Sequence, residues 1–103
     1  MKSAGSKILV AGLLAGLTYG AGAADLAAGK AKFAVCAGCH GPTGAGNAAL
    51  GYPQLAGKDP AYVAQQLRAF KSGQRQSATM QAMVSGLSET DIDNLAAYVG
   101  TLK

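Results

Sequence analysis

Apolar residues recur at helical spacing in three stretches of the chain, separated by segments rich in glycine. Leu26, Gly29 and Phe33 fall on one face and lead into Cys36, which predicts a helix from Asp25 to about Val35. Tyr62, Val63, Gln66, Leu67 and Phe70 share a face of a second helix. Asp59 is placed as its N-cap, Pro60 stands in its first turn, and Gly73 ends it. Ile92, Leu95, Ala96 and Val99 form the stripe of a third helix. Ser88 caps that helix, Asp91 takes its third position, and Leu87 can staple against Ile92 across the cap. Between these elements, residues 41–51 read as a glycine-rich loop, Tyr52 to Gly57 follows it, and 74–86 reads as a loop or short helix. No stretch alternates convincingly as a strand would. The pattern therefore predicts an all-α domain of three main helices with long loops. Loops of about ten residues in so small a domain imply something for them to fold around.

The chain has 103 residues, one domain at most. Its first residues read differently from the rest. Lys2 and Lys7 make a basic start, Ile8 to Leu17 is an apolar run, and Ala21-Gly22-Ala23 offers small residues to a signal peptidase. Residues 1–23 are thus expected to be a cleaved secretory signal, with cleavage after Ala24 as the near alternative. An uncleaved membrane anchor is the competing reading, but the run is short for a span and is interrupted by glycines. The domain left, 24–103, is near the size at which side chains alone make a marginal core. It has no tryptophan and two phenylalanines, so a bound apolar group would supply area the chain lacks. The formal charge is +4, and Lys2 and Lys7 account for two of those charges. A strong basic field for nucleic acid is absent, and long-range steering of partners should be modest.

The candidate chemistry is concentrated in Cys36-Ala37-Gly38-Cys39-His40. Cys-x-x-Cys-His is the attachment signal for a c-type haem. Two cysteines three apart on a helical turn can reach the two vinyl groups on one porphyrin edge and form thioethers. The histidine that follows is placed to send its imidazole to the iron. A thioredoxin-type pair would need a βαβ setting. A structural zinc site would need a fourth ligand. A plain disulfide is possible in an exported protein but leaves the histidine unexplained. One covalently attached haem c is the expected cofactor, with attachment after translocation to the bacterial periplasm.

The chain has one histidine, so bis-histidine ligation within one protomer is excluded. Methionine thioether is the usual alternative in electron-carrying cytochromes. Met80 and Met83 are the candidates in the mature domain, and their spacing allows one to be a ligand and the other to pack.

Taken together, the motifs resemble class I cytochromes c, in particular small bacterial periplasmic ones and single halves of the two-haem c-four cytochromes. The resemblance runs from Gly29 to Leu102. It rests on the Cys36–His40 signal, Tyr52-Pro53-Gln54-Leu55-Ala56-Gly57, the Tyr62…Gln66-Leu67…Phe70…Gly73…Arg75 helix, and Leu87-Ser88-x-x-Asp91-Ile92…Leu95-Ala96-Ala97-Tyr98. It implies the class I fold, helices and loops wrapped around one haem. It also implies that the methionine eight residues before Ser88, Met80, is the second axial ligand. By the same resemblance the Pro53 carbonyl accepts from the His40 ring, and Gly29 and Phe33 cross Tyr98. Tyr62 and Arg75 are candidate propionate partners, or equally a solvated or core pair.

The implied function is one-electron transfer by a periplasmic carrier, not an enzyme. It would be a monomer, free of the membrane after cleavage. Its expected partners are redox proteins: a quinol–cytochrome c reductase, a terminal oxidase or other periplasmic reductases. Two alternatives stand beside it: a haem enzyme or gas sensor with an open sixth position, and a dedicated subunit of one oxidoreductase complex. Other signals carry less. Gly44-Ala45-Gly46-Asn47-Ala48-Ala49 formally matches a dinucleotide fingerprint but lacks the preceding strand. Gln65, Gln66 and Lys71 read as solvated face or ordinary packing. Asp91 and Asp93 suit the first turn of a helix.

Overall fold

The computed structural model describes residues 23–103. Apart from Ala23, the expected secretory segment 1–23 lies outside the described residues. Four helices follow one another: α1 (Leu26–His40), α2 (Pro60–Ser72), α3 (Ala78–Val84) and α4 (Glu89–Val99), with a single 3-10 turn at Ala48–Leu50. No strand occurs among the described residues, and one isolated antiparallel bridge pairs Asn47 with Tyr52. No described helix is long and apolar enough to cross a membrane.

The helix starts follow from their caps. Asp25 accepts from the Ala28 N–H at 3.0 Å, and Asp59 from the Ala61 N–H at 2.9 Å with Pro60 in the first turn. Ser88 and Asp91 form a reciprocal capping box, each bond 3.0 Å long. Ser77 likewise opens α3, accepting from the Met80 N–H at 3.2 Å, so the loop or short helix expected at 74–86 contains a short helix. The first helix continues past Val35 to His40, carrying both cysteines and the histidine on its last turns.

α1 and α4 pack most intimately. Gly29 makes this possible, since a Cβ there would overlap the backbone carbonyl of Asn94. Beyond that contact the Phe33 and Tyr98 rings meet at 5.4 Å and 53°, which is the helix crossing expected from the resemblance. Phe33, Val63, Leu67, Phe70, Val84, Ile92, Leu95 and Val99 form one buried cluster. Burying each such side chain contributes on the order of 2 kcal/mol. Leu26, placed on the apolar face by its spacing, is instead 49% exposed. The buried face of α1 is Gly29, Phe33 and His40. Asn94 is buried and polar, as His40 is, and its Oδ1 accepts from the Asp25 N–H at 2.8 Å, anchoring the start of α1 to α4.

Candidate functional site

The last turns of α1 face a cleft whose far walls are α2 and α3. Two adjoining cavities, of about 130 and 310 Å³, share Cys36, His40, Pro53, Phe70, Arg75 and Met80 in their walls. The inner one runs against Phe33, Val63, Leu67 and Leu95, and the outer one against Cys39, Tyr52, Thr79 and Met83. The walls are chiefly apolar. Among the residues bordering either cavity there is no Asp or Glu, and the cations are Lys58 and Arg75.

His40 is buried at the end of α1, and its Nδ1 lies 2.8 Å from the carbonyl oxygen of Pro53. A carbonyl can only accept, so Nδ1 carries the hydrogen and the lone pair of the neutral ring is left on Nε2. Pro53 is brought there by the loop after α1. The Gly46 N–H donates to the His40 carbonyl at 2.7 Å, and Asn47 and Tyr52 exchange backbone bonds of 2.7 and 2.9 Å. Gly46 has φ +73°, and a Cβ on it would come within 2.7 Å of the Pro53 carbonyl carbon. The glycine-rich loop is therefore a fixed bracket for the histidine's partner.

Cys36 and Cys39 are free and half-buried. Burial pushes the Cys36 thiol above its ordinary value, with a backbone hydrogen bond acting the other way. Both cysteines border the outer cavity, and Cys36 borders the inner one as well. Met80, half-buried in the first turn of α3, borders both cavities. Met83 is 39% exposed and borders the outer one.

The remaining candidates lie at the cleft's edge. Tyr62 borders the inner cavity while 48% exposed. Arg75 donates to Gln66 Oε1 at 2.7 Å, and its guanidinium lies 4.7 Å from the Phe70 ring centroid. Gln66, which the sequence pattern left without a chemical role, thus borders the inner cavity and is tied to Arg75. The two lie on either side of the Gly73 turn, and nothing in local spacing marks them as partners. Lys58 was equally unmarked.

The donor chemistry fits a c-type haem: two thiols and an imidazole lone pair on one helix end, thioethers opposite, apolar walls between, and cations at the edge for carboxylates.

Comparison with known proteins points to the same cofactor. The family model for cytochrome c matches residues 26–103. A thiosulfate dehydrogenase electron acceptor of Thiomonas intermedia (strain K12) is 43% identical over 88 residues, covering 85% of this chain and 41% of that protein. Cytochrome c4 of Pseudomonas aeruginosa is 39% identical over 102 residues, 95% of this chain and 49% of that one. The chain thus spans about half the length of these curated relatives or less. Cytochrome c-554(548) of Halomonas halodenitrificans, 42% identical over 79 residues, is covered to 94%. Among solved structures, reduced recombinant cytochrome c4 from Pseudomonas stutzeri superposes with a TM-score of 0.72 at 35% identity, over 80% of this chain and 52% of that one.

Proposed function

Because this chain belongs to the cytochrome c family, we propose that it is a one-electron carrier of the bacterial periplasm, built on one c-type haem. Cys36 and Cys39 would hold the porphyrin as thioethers, and His40 Nε2 and the Met80 sulfur would be the protein's ligands to the iron. When bound, the haem supplies a ferric–ferrous couple. The protein's residues do the rest. The Pro53 carbonyl holds the His40 ring in one tautomer and orientation and raises its basicity as a ligand. Phe33, Val63, Leu67, Phe70 and Leu95 keep water from the inner cleft. Arg75 and Tyr62 stand where carboxylates of a bound porphyrin could be met.

The observation that carries this reading is the His40–Pro53 hydrogen bond, which leaves Nε2 free as a donor beside two free thiols. Met80 is favoured over Met83 because it borders both cavities, whereas Met83 borders the outer one. With His40 and Met80 both holding the iron, the proposed carrier would need no substrate site.

We place the carrier in the periplasm on the secretory pattern of residues 1–23 and the export that haem attachment requires. Its partners would be redox proteins. One relative is named as an electron acceptor of thiosulfate dehydrogenase, so an oxidoreductase acting on inorganic sulfur compounds joins quinol–cytochrome c reductases as a donor class. Terminal oxidases and other periplasmic reductases are the acceptor class. The test is the spectrum of purified holoprotein in both oxidation states. A weak far-red sulfur-to-iron band in the ferric form is expected. Its absence, with ready binding of carbon monoxide by the reduced form, would favour an open-site enzyme or sensor.

A further inference from the structure

Arg75 is held more firmly than an exposed arginine ordinarily is. The chain reverses at Gly73, whose φ is +85°, and the Arg75 N–H then donates to the Ala69 carbonyl at 3.1 Å. This return lays Arg75 alongside the helix it has just left. Its guanidinium lies 4.7 Å from the Phe70 ring centroid, and Nη1 donates to Gln66 Oε1 at 2.7 Å. Backbone, ring and amide thus restrain one flexible side chain, against its rotamer entropy.

That charge has no counter-ion among the described residues. Among the described residues the ion pairs are Lys32 with Asp91, and Arg68 with Glu89 and Asp93. Arg75 borders both cavities of the cleft and a third beside Ala45 and Tyr52, none of which is lined by an acid. A fixed cation at the edge of a redox site disfavours the oxidised, more positive state of the metal through Coulomb repulsion.

We infer that Gln66 is a positioning residue which, with the Phe70 ring as platform, holds Arg75 as a fixed positive charge at the mouth of the haem cleft and so raises the reduction potential. This rests on the haem reading above. A unit charge acting over roughly 10 Å, with an effective dielectric between about 20 and 80, changes a one-electron equilibrium about two- to fifteenfold.

The test is redox titration of purified holoprotein carrying Arg75→Gln, Gln66→Met, both, or Arg75→Lys. At a fixed applied potential, Arg75→Gln is expected to lower the reduced-to-oxidised ratio about two- to fifteenfold, and less so at high salt. Gln66→Met should lower it by a smaller factor, and should add nothing in the Arg75→Gln background. Arg75→Lys, which keeps the charge without the fork, should fall between wild type and Arg75→Gln. It also carries the test should Arg75→Gln fail to accumulate. An unmoved potential in Arg75→Gln overturns the inference, as does an Arg75→Lys shift equal to that of Arg75→Gln. Equal effects of Gln66→Met with and without Arg75 overturn the positioning role. None of these outcomes touches the carrier reading, which stands or falls on the wild-type spectrum.

Discussion

The Nδ1 of His40 and the carbonyl oxygen of Pro53 are 2.8 Å apart, thirteen residues distant in sequence. The contact depends on Gly46, which lets the loop lie flat against Tyr52 and Pro53. Gly46→Ala and Gly51→Ala therefore make an informative pair. Both glycines have positive φ, +73° and +79°, but a Cβ at Gly51 meets nothing within 4 Å. Thermal unfolding of the holoproteins should show a loss of about 1–2 kcal/mol for Gly51→Ala, from backbone conformation alone. Gly46→Ala should lose more. Equal losses would mean that the bracket does not depend on close approach.

The two methionines should separate by spectroscopy. Met80→Ala is expected to abolish the far-red sulfur-to-iron band, while Met83→Ala keeps it. Met83, being partly exposed, should cost less than the 2–5 kcal/mol typical of emptying a core methionine site. The reverse pattern would assign the ligand to Met83.

Haem removal should unfold most of the domain. Phe33, Val63, Leu67, Phe70 and Leu95 all border the inner cavity, so without the porphyrin much of the core's apolar surface faces water. A Cys36→Ser/Cys39→Ser chain purified without haem is expected to give a poorly dispersed amide NMR spectrum. Sharp, well-dispersed resonances would refute this.

Acid stability should carry the mark of Asp91. The Ser88 backbone N–H holds its carboxyl below the usual carboxylate range, helped by the Ser88 hydroxyl and by Lys32. A carboxylate lowered on folding stabilises the fold above its unfolded pKa, and the contribution disappears as pH falls through the lower folded value. Stability of wild type should therefore fall as pH drops below about 4. Asp91→Asn should flatten that part of the curve. An unchanged slope would show that the capping carboxylate is not a source of acid sensitivity.

Sequence patterning was most informative where the physics is local. Asp59, Ser88 and Asp91 act within one helical turn, so their caps could be read from spacing, and Cys36, Cys39 and His40 declare their chemistry side by side. Periodicity alone misjudged Leu26, because exposure depends on which side of α1 meets α4, and Gly29 decides that by close approach to Asn94. The link between Gln66 and Arg75 was invisible for a different reason. It forms only after the chain doubles back at Gly73, bringing together residues nine apart across a helix end. The Pro53–His40 contact was implied by resemblance, and the bracket that makes it, with its dependence on Gly46, emerges only from the folded backbone.

Cys36, Cys39 and His40 project from the end of a fifteen-residue helix locked against α4, whereas Met80 rides on a seven-residue helix that packs mainly on α2 and buries only Val84. The proposed site is therefore gripped unequally: one wall is an anvil, the other a latch. Partial unfolding should begin at the latch, so backbone amides of Ala78–Val84 should exchange with solvent before those of Phe33–His40. If Met80 is the ligand proposed above, a damaged or heated molecule would let go of the sulfur while keeping its cofactor tethered, ready to close again.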